Sequence, residues 1–447
     1  MQQTYPTFEN NSYRLVLLHS GSILTLHDGS KRLLPHLDIP HGTRPAEQLQ
    51  QALKNIWQLN GIVLEIFRPE NNGTRLAIVE LLTSKSCTSM STTGLNEITE
   101  AQLSTYEREK VQKIVAGLHE GNRPFARLGW MEEALAWLRI EVPYSTSSVV
   151  SIRQLNASGS FALIRFRFQS NVVFWMKATG DPNRHEFRVT RTLSQMCPEF
   201  LPPRIAERED WNAWLMEDAG LPLDTWDSPT FEVALRSMST LQKRTIGHTD
   251  EFIAQGAFDQ RIHVLRGHLP EAIEYIDEAM REQRSTNVAQ IDPHRLSQLE
   301  GILRDACLRL EDLAIPDTVV HNDINPGNAL FKGMRCVFTD WSEIGVGNPF
   351  FTLHQLCRLR HEGRDPSVWT PRETYKQCWA EHLTAKQIES AVPLIPLLSI
   401  FSYFCGRRTW LQSTQRNDAR VKSYSRSLAR HMDQAARDPE LLGALCH

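Results

Sequence analysis

The run His321-Asn322-Asp323-Ile324-Asn325-Pro326-Gly327-Asn328 carries the residue types that phosphoryl transfer to a hydroxyl requires. Such a reaction needs one carboxylate to orient the acceptor hydroxyl and take its proton. It also needs an amide oxygen and a second carboxylate to hold Mg²⁺ against nucleotide phosphates. His-x-Asp-x4-Asn offers the first carboxylate, Asp323, and the amide, Asn328, on one loop. Asp340 follows in Val337-Phe338-Thr339-Asp340-Trp341. Between them, Asn328 to Phe331 and Cys336 to Thr339 read as the strands of a hairpin turned by Lys332-Gly333. A metal-hydrolase reading of His321 and Asp323 lacks a second clustered His. His263 and His268, spaced His-x4-His without a Glu, are no metalloprotease pattern and read as surface or capping residues.

These groups need partners upstream to hold the nucleotide, and the chain offers them in order. Ser151 to Phe168 reads as two strands around Asn156-Ala157-Ser158-Gly159-Ser160, a hairpin whose amides at Gly159 and Ser160 suit phosphate. Val172 to Met176 is an apolar strand ending in Lys177, where a solvated lysine has little reason to sit. Asp181-Pro182-Asn183 opens a helix from about His185 to Met196, with Glu186 in its first turn as the partner of Lys177 and Glu199 and Glu207 as competitors. Trp211 to Met216 then leads to Glu217-Asp218-Ala219-Gly220, a hinge whose backbone at Glu217 and Ala219 could serve adenine. Downstream, Phe231 to Leu241, Ile262 to Met280 and Leu296 to Leu313 are amphipathic and helical. Glu343 to Pro349 reads as an irregular segment. Arg407 to Arg430 reads as a basic helix face, solvated or, less simply, an anion-binding wall.

With those residues in hand, positions 145 to 435 resemble the aminoglycoside phosphotransferase and choline kinase family, small-molecule kinases with a protein-kinase-like fold. His321 to Asn328 and Asp340-Trp341 carry the likeness. Asn325 stands where a protein kinase has Lys, which favours this family. The resemblance implies Asp323 as base, with His321 bracing its loop, and Asn328 and Asp340 as Mg²⁺ ligands. It also implies Lys177 on the α/β phosphates of ATP, with Glu186 holding Lys177. The expected activity is ATP- and Mg²⁺-dependent transfer to a hydroxyl of a small polar metabolite.

Before this region, residues 12 to 82 mix short strands with one helical stretch, Pro45 to Leu59, stopped by Gly61. That texture resembles the Nudix fold. With Gly61 as the motif's final Gly, Lys54-Asn55 and Gln58-Leu59 stand where the family has its metal-binding carboxylates, so hydrolysis is not expected. The expected fold class is α+β: a bilobed protein-kinase-like fold with a small β-rich N-lobe and an α-rich C-lobe, preceded by a separate α/β Nudix-like domain. Expected boundaries are 1–140 for the accessory domain, 141–220 for the N-lobe with hinge and 221–447 for the C-lobe. A second reading makes the chain a nucleotide-binding regulatory or interaction protein whose Nudix-like region recognises a ligand or partner.

Composition agrees with a globular enzyme. The 447 residues hold 49 Lys+Arg against 52 Asp+Glu, a net charge of −3, and are 41% apolar, so a basic nucleic-acid binder is excluded. No basic start with an apolar run marks Met1 to Pro6 as a secretory leader. The most apolar run, Ala391 to Cys405, is shorter than the about 20 residues of a membrane span and is interrupted by Pro393 and Pro396, which reads as a buried helix. Eight scattered cysteines without a CxxC pair suit single thiols in a reducing cytoplasm. The expected partner is a small hydroxylated substrate, not nucleic acid or membrane, with the oligomeric state left open.

Overall fold

The computed structural model describes residues 10–28, 31–67, 73–82, 90–117, 124–142, 148–158, 161–223, 226–361, 371–407, 410 and 413–446. Gly159 and Ser160 lie outside the described residues, as do residues 143–147 of the stretch Pro143 to Ser148, whose Pro, Ser and Thr content reads as a linker. The chain is α+β and divides into two compact units. One comprises Met1–Phe187 and Arg204–Asp218, the other Arg188–Pro203 and Ala219–His447.

The first unit opens with strands β1 (Asn10–His19), β2 (Ser22–Asp28), β3 (Lys31–Leu33) and β4 (His36–Pro40). Helix α1 (Pro45–Trp57) and strands β5 (Gly61–Phe67), β6 (Arg75–Leu81) and β7 (Met90–Thr93) follow. These strands make one sheet in the order β3-β2-β1-β6-β5, with β4 also on β1 and β7 on β2; β1 and β6 run parallel. Helices α2 (Thr105–Val115) and α3 (Trp130–Glu141) come next. A second, antiparallel sheet of β8 (Val149–Ser158), β9 (Phe161–Phe168), β10 (Val173–Thr179), β11 (Arg204–Arg208) and β12 (Ala213–Glu217) has the order β11-β12-β10-β9-β8.

Strand periodicity sorts β1 between two cores. Tyr13, Leu15 and Leu17 pack with Leu49 and Leu53 of α1 and with Ala77 and Val79. Val16 and Leu18 point the other way, into a cluster that also holds Trp130 and Leu138 of α3 and Phe166, Phe168, Met176 and Leu215 of the second sheet. Burial on both faces accounts for the unbroken apolar run Leu15 to Leu18, where a one-sided strand would alternate. Residues from the first 140 positions and from the second sheet therefore complete one core.

In the second unit α4 (His185–Met196), which starts in the first, leads on to β13 (Leu221–Pro222), α5 (Ser228–Arg244), α6 (Thr249–Ala254) and β14 (Phe258–Gln260). Helices α7 (Ile262–Gly267), α8 (Leu269–Arg281) and α9 (Pro293–Asp312) precede β15 (Thr318–His321), β16 (Ala329–Lys332), β17 (Arg335–Phe338) and β18 (Ile344–Gly347). Then come α10 (Phe350–His361), α11 (Pro371–Trp379), α12 (Ala385–Ala391), α13 (Ile395–Arg407), α14 (Ser413–Arg416), α15 (Ala419–Ala435) and α16 (Pro439–Leu445). Two small sheets, β13-β16-β17 and β14-β18-β15, sit among these helices.

Three sequence expectations change here. Ile262 to Met280 is two helices, because Pro270 at the start of α8 has no amide hydrogen to continue α7. Residues 344–347, expected to be irregular, form β18 between β14 and β15. The basic tail is only partly a solvated face: Arg420 is exposed, but several of its cations are engaged inside the protein. Lys422, 5% exposed, pairs with Glu278 and Glu282; Arg416 pairs with Glu278; Arg426 donates to the Ala279 carbonyl. Those contacts hold Glu278 below, and Lys422 above, the usual values, chiefly through hydrogen bonds to Arg416 and Glu282 respectively. The helical stretch Ala385–Gly406 is long and apolar enough to cross a membrane, but 61% of its apolar window is buried inside the protein, as in a core helix.

The shared core of the first unit predicts that a chain beginning at residue 145 is insoluble or melts well below the full-length protein. Soluble yield and thermal melting check it; a fragment with an undiminished transition would contradict the packing argument.

Candidate active site

Burial on β15 fixes where the chemical loop begins. All four residues, Thr318 to His321, are buried; the Val319 amide donates to Thr245 Oγ1 (3.0 Å) and the His321 amide to Thr352 Oγ1 (3.1 Å). His321 is 1% exposed, and its Nε2 lies 2.9 Å from the Thr339 carbonyl. A carbonyl only accepts, so Nε2 carries the hydrogen. The ring also sits 4.4 Å, centroid to centroid, from that of Trp341. His321 thus ties the start of the loop to the residues around Asp340.

Asp323 is exposed, and two amides hold it. Asn325 Nδ2 donates to Asp323 Oδ1 (3.2 Å) and Asn328 Nδ2 to Asp323 Oδ2 (3.1 Å); both also reach the Asp323 carbonyl, at 3.1 and 2.8 Å. Asn325 closes its own turn by accepting from the Gly327 amide (2.8 Å). The Thr339 amide donates to the Asn328 carbonyl (2.9 Å), joining the loop to the end of the β16–β17 hairpin. Asp340 comes next, in the left-handed region (φ 60°, ψ 63°), a conformation that Asp tolerates better than most residues. Ser342 Oγ donates to Asp340 Oδ1 (3.1 Å).

The donor set suits a hard cation bound together with phosphates. Asn328 commits its NH₂ to Asp323, so its oxygen could serve a hard cation, and Asp340 could add a carboxylate. Among the described residues no group of three or more His, Cys, Asp or Glu could hold a metal by itself.

In the first unit Lys177, 5% exposed on β10, pairs with Glu186, 2% exposed at the start of α4. The Lys177 Nζ lies 5.0 Å from the Phe161 ring centroid and 5.9 Å from that of Trp214. The competing carboxylates are engaged elsewhere: Glu207 with Arg204 (2.7 Å) and Glu199 with Arg244. Glu217 ends β12, opposite Phe174, and the chain crosses between units at Asp218 and Ala219. The Trp175 indole donates to Asp218 Oδ1 (2.7 Å). Burial pushes the Cys307 and Cys336 thiols up to about 12, so they stay protonated.

One positioning residue escaped the sequence. Gln260, wholly buried at the end of β14, accepts from Asn322 Nδ2 (2.9 Å) and donates to the Ser402 carbonyl (2.9 Å), while Asn322 also donates to the Glu343 carbonyl (2.8 Å). Three glycines make room for it. A Cβ on Gly345 would fall 1.7 Å from Gln260 Oε1, on Gly347 2.5 Å from its carbonyl oxygen, and on Gly406 2.5 Å from its Nε2. Gly345 and Gly347 are visible in the sequence as a Gly-x-Gly pair. Gln260 itself has no local signal.

No protein-family model matches the chain, and no curated protein matches it. Among solved structures it is similar to a choline kinase from Cryptosporidium parvum Iowa II, at 14% identity over 70% of this chain and 97% of that one, with a TM-score of 0.49. It is also similar to a choline/ethanolamine kinase family protein from Mesorhizobium loti, at 14% identity over 71% and 98% of the two chains, TM-score 0.46. A macrolide 2'-phosphotransferase from Brachybacterium faecium matches at 16% identity over 66% and 96%, TM-score 0.43. These structures are small-molecule phosphotransferases; at such scores the functional reading of this chain rests on its own residues.

Gly345→Ala should cost several kcal/mol (about 1–3 for the disrupted buried amide alone). Gly301→Ala, with open space at its Cβ on α9, should instead gain roughly 0.5–1 kcal/mol. Denaturant unfolding compares the two. Asp317, just before β15, is raised to about 6, chiefly by burial. A raised carboxyl pKa means the folded state binds the proton more tightly, so stability falls as pH climbs from about 4 to about 6. Asp317→Asn should therefore raise the melting temperature at pH 7 and change it little below pH 4.

Proposed function

We propose that the protein is an ATP- and Mg²⁺-dependent phosphotransferase with the bilobed protein-kinase-like fold, moving the γ-phosphoryl group to a hydroxyl of a small polar metabolite. The observation that carries this reading is the double hold of Asn325 and Asn328 on Asp323. It holds an exposed carboxylate in place and leaves the oxygen of Asn328 without a share in that hold, which supports roles toward an incoming hydroxyl and a cation.

Asp323 orients the acceptor hydroxyl and takes its proton as the new P–O bond forms. His321, buried and hydrogen-bonded to Thr339, braces the loop and keeps out of the reaction. Asn328 and Asp340 would hold Mg²⁺, which when bound neutralises phosphate charge. Lys177, kept in place by Glu186, offers its ammonium to the α/β phosphates, and the β8–β9 hairpin, through Gly159 and Ser160, covers them. Backbone groups at Glu217 and Ala219 serve adenine. The first 140 residues are a Nudix-like accessory region without hydrolytic activity. What supports that last point is the use made of α1: Glu47 is ion-paired to Arg153 and Gln50 is bonded to the Gln154 amide. A cytoplasmic location and a small hydroxylated partner complete the reading.

An acceptor is sought by thermal-shift screening of hydroxylated metabolites with Mg²⁺ and a non-hydrolysable ATP analogue. With it, Asp323→Ala should lower kcat by roughly 10²- to 10⁴-fold with nucleotide affinity largely kept. Asp340→Ala should weaken Mg²⁺-dependent nucleotide binding as well as rate. Full turnover by Asp323→Ala would overturn the assigned role.

A further inference from the structure

The first region grips the second sheet at its edge strand, β8, through one buried amide. Gln154, 1% exposed, donates from Nε2 to the Val63 carbonyl (2.8 Å) and accepts at Oε1 from the Val63 amide (2.8 Å). A side chain therefore satisfies both backbone groups of a β5 residue, as a paired strand would. The Gln154 amide donates to Gln50 Oε1 (3.0 Å), and Gln50 Nε2 donates to the Gly61 carbonyl (3.1 Å). Beside them Arg153 pairs with Glu47 of α1.

Both strands break register where this amide joins them. The β8–β9 ladder shifts between Gln154 and Asn156, and the β5–β6 ladder between Val63 and Glu65. A bulge leaves backbone groups outside the ladder and weakens the hold of an edge strand on its neighbour. A one-residue slip of β8 on β9 would turn every later side chain to the other face. Gln154 and Gln50 bond Val63 and the Gln154 amide, the residues directly before the two bulges, and so pin the register at the point where each ladder is weakest, shortly before the hairpin end. Phe161, paired with Ser158 and Thr179, opens the returning strand with its ring beside Lys177.

From this we infer that Gln154 is a positioning residue for nucleotide binding. Through it the first region acts as a fixed buttress of the β8–β9 hairpin. The inference rests on the reading that this hairpin covers the nucleotide, and it gives the first region a task inside the same reaction.

The test uses full-length Gln154→Leu, with affinity for a Mg²⁺-bound non-hydrolysable ATP analogue measured by calorimetry and amide exchange followed over residues 149–168. The loss of about one net hydrogen bond's worth of hold on the hairpin should weaken analogue binding roughly three- to tenfold. Exchange in β8 and β9 should quicken, while exchange in β11 and β12 stays as in the wild type. Leu17→Ala, in the other core of the first region, should lower the melting temperature without changing analogue affinity, which separates positioning from general stability. Should Gln154→Leu fail to fold, Gln50→Leu removes the partner of the Gln154 amide and carries the same expectation. Wild-type affinity and exchange in a folded variant would overturn the proposal. If the wild type itself does not bind the analogue, the phosphotransferase reading falls, and the exchange comparison alone decides whether Gln154 positions the hairpin.

Discussion

A neutral amide with four hydrogen-bonding positions, buried where water cannot serve it, is the constraint on which the chemical loop depends. Gln260 must find partners for its carboxamide inside the core, since an unmade buried hydrogen bond costs about 1–3 kcal/mol. It finds them in Asn322 and in the Ser402 carbonyl. Asn322 precedes Asp323, so satisfying Gln260 fixes the approach to the exposed carboxylate. The glycines at 345, 347 and 406 follow from the same requirement, because any side chain there would occupy the space of the amide or of its backbone. Placement of the loop is thus set from below, by packing and polar satisfaction, and the loop residues themselves complete it with the amides of Asn325 and Asn328.

Much of the candidate site was legible because its residues stand against their surroundings. Lys177 ends a run of apolar strand residues, and a cation there needs a buried anion; Glu186 meets it. Asp323 and Asn328 announce themselves by close spacing on one loop, and the hairpin after them by Lys332-Gly333, where Gly333 takes a φ of 62°. What stayed hidden depends on long-range partners. Gln260 and Gln154 are ordinary glutamines in sequence, and each becomes structural only through a residue far away along the chain. Part of the basic tail is hidden for the same reason: Arg416 and Lys422 look solvated until α8 and the residue after it bring Glu278 and Glu282 beside them. Residues 344–347 have the glycine content of a loop, yet form a strand because Gln260 needs neighbours without side chains.

The use of α1 illustrates how one face of a helix can serve only one master. Its apolar residues Leu49 and Leu53 cover the sheet behind it. Its polar residues Glu47 and Gln50 are taken up by Arg153 and Gln154. A helix whose polar side is committed to a neighbouring strand has no carboxylate left over for a diphosphate-bound cation, which agrees with positions 54–55 and 58–59 holding the cationic lysine and the neutral asparagine, glutamine and leucine instead of paired acids.

Burial of β1 on both faces has a consequence for how the chain holds together. The core that receives Val16 and Leu18 is filled from both sides of the segment joining α3 to β8. Covalent continuity between Val142 and Ser148 is therefore not what keeps the two sheets of the first unit associated. The chain is in effect a split protein already assembled: two polypeptides cut at that point, each carrying half of a common apolar interior, would find each other by burying it.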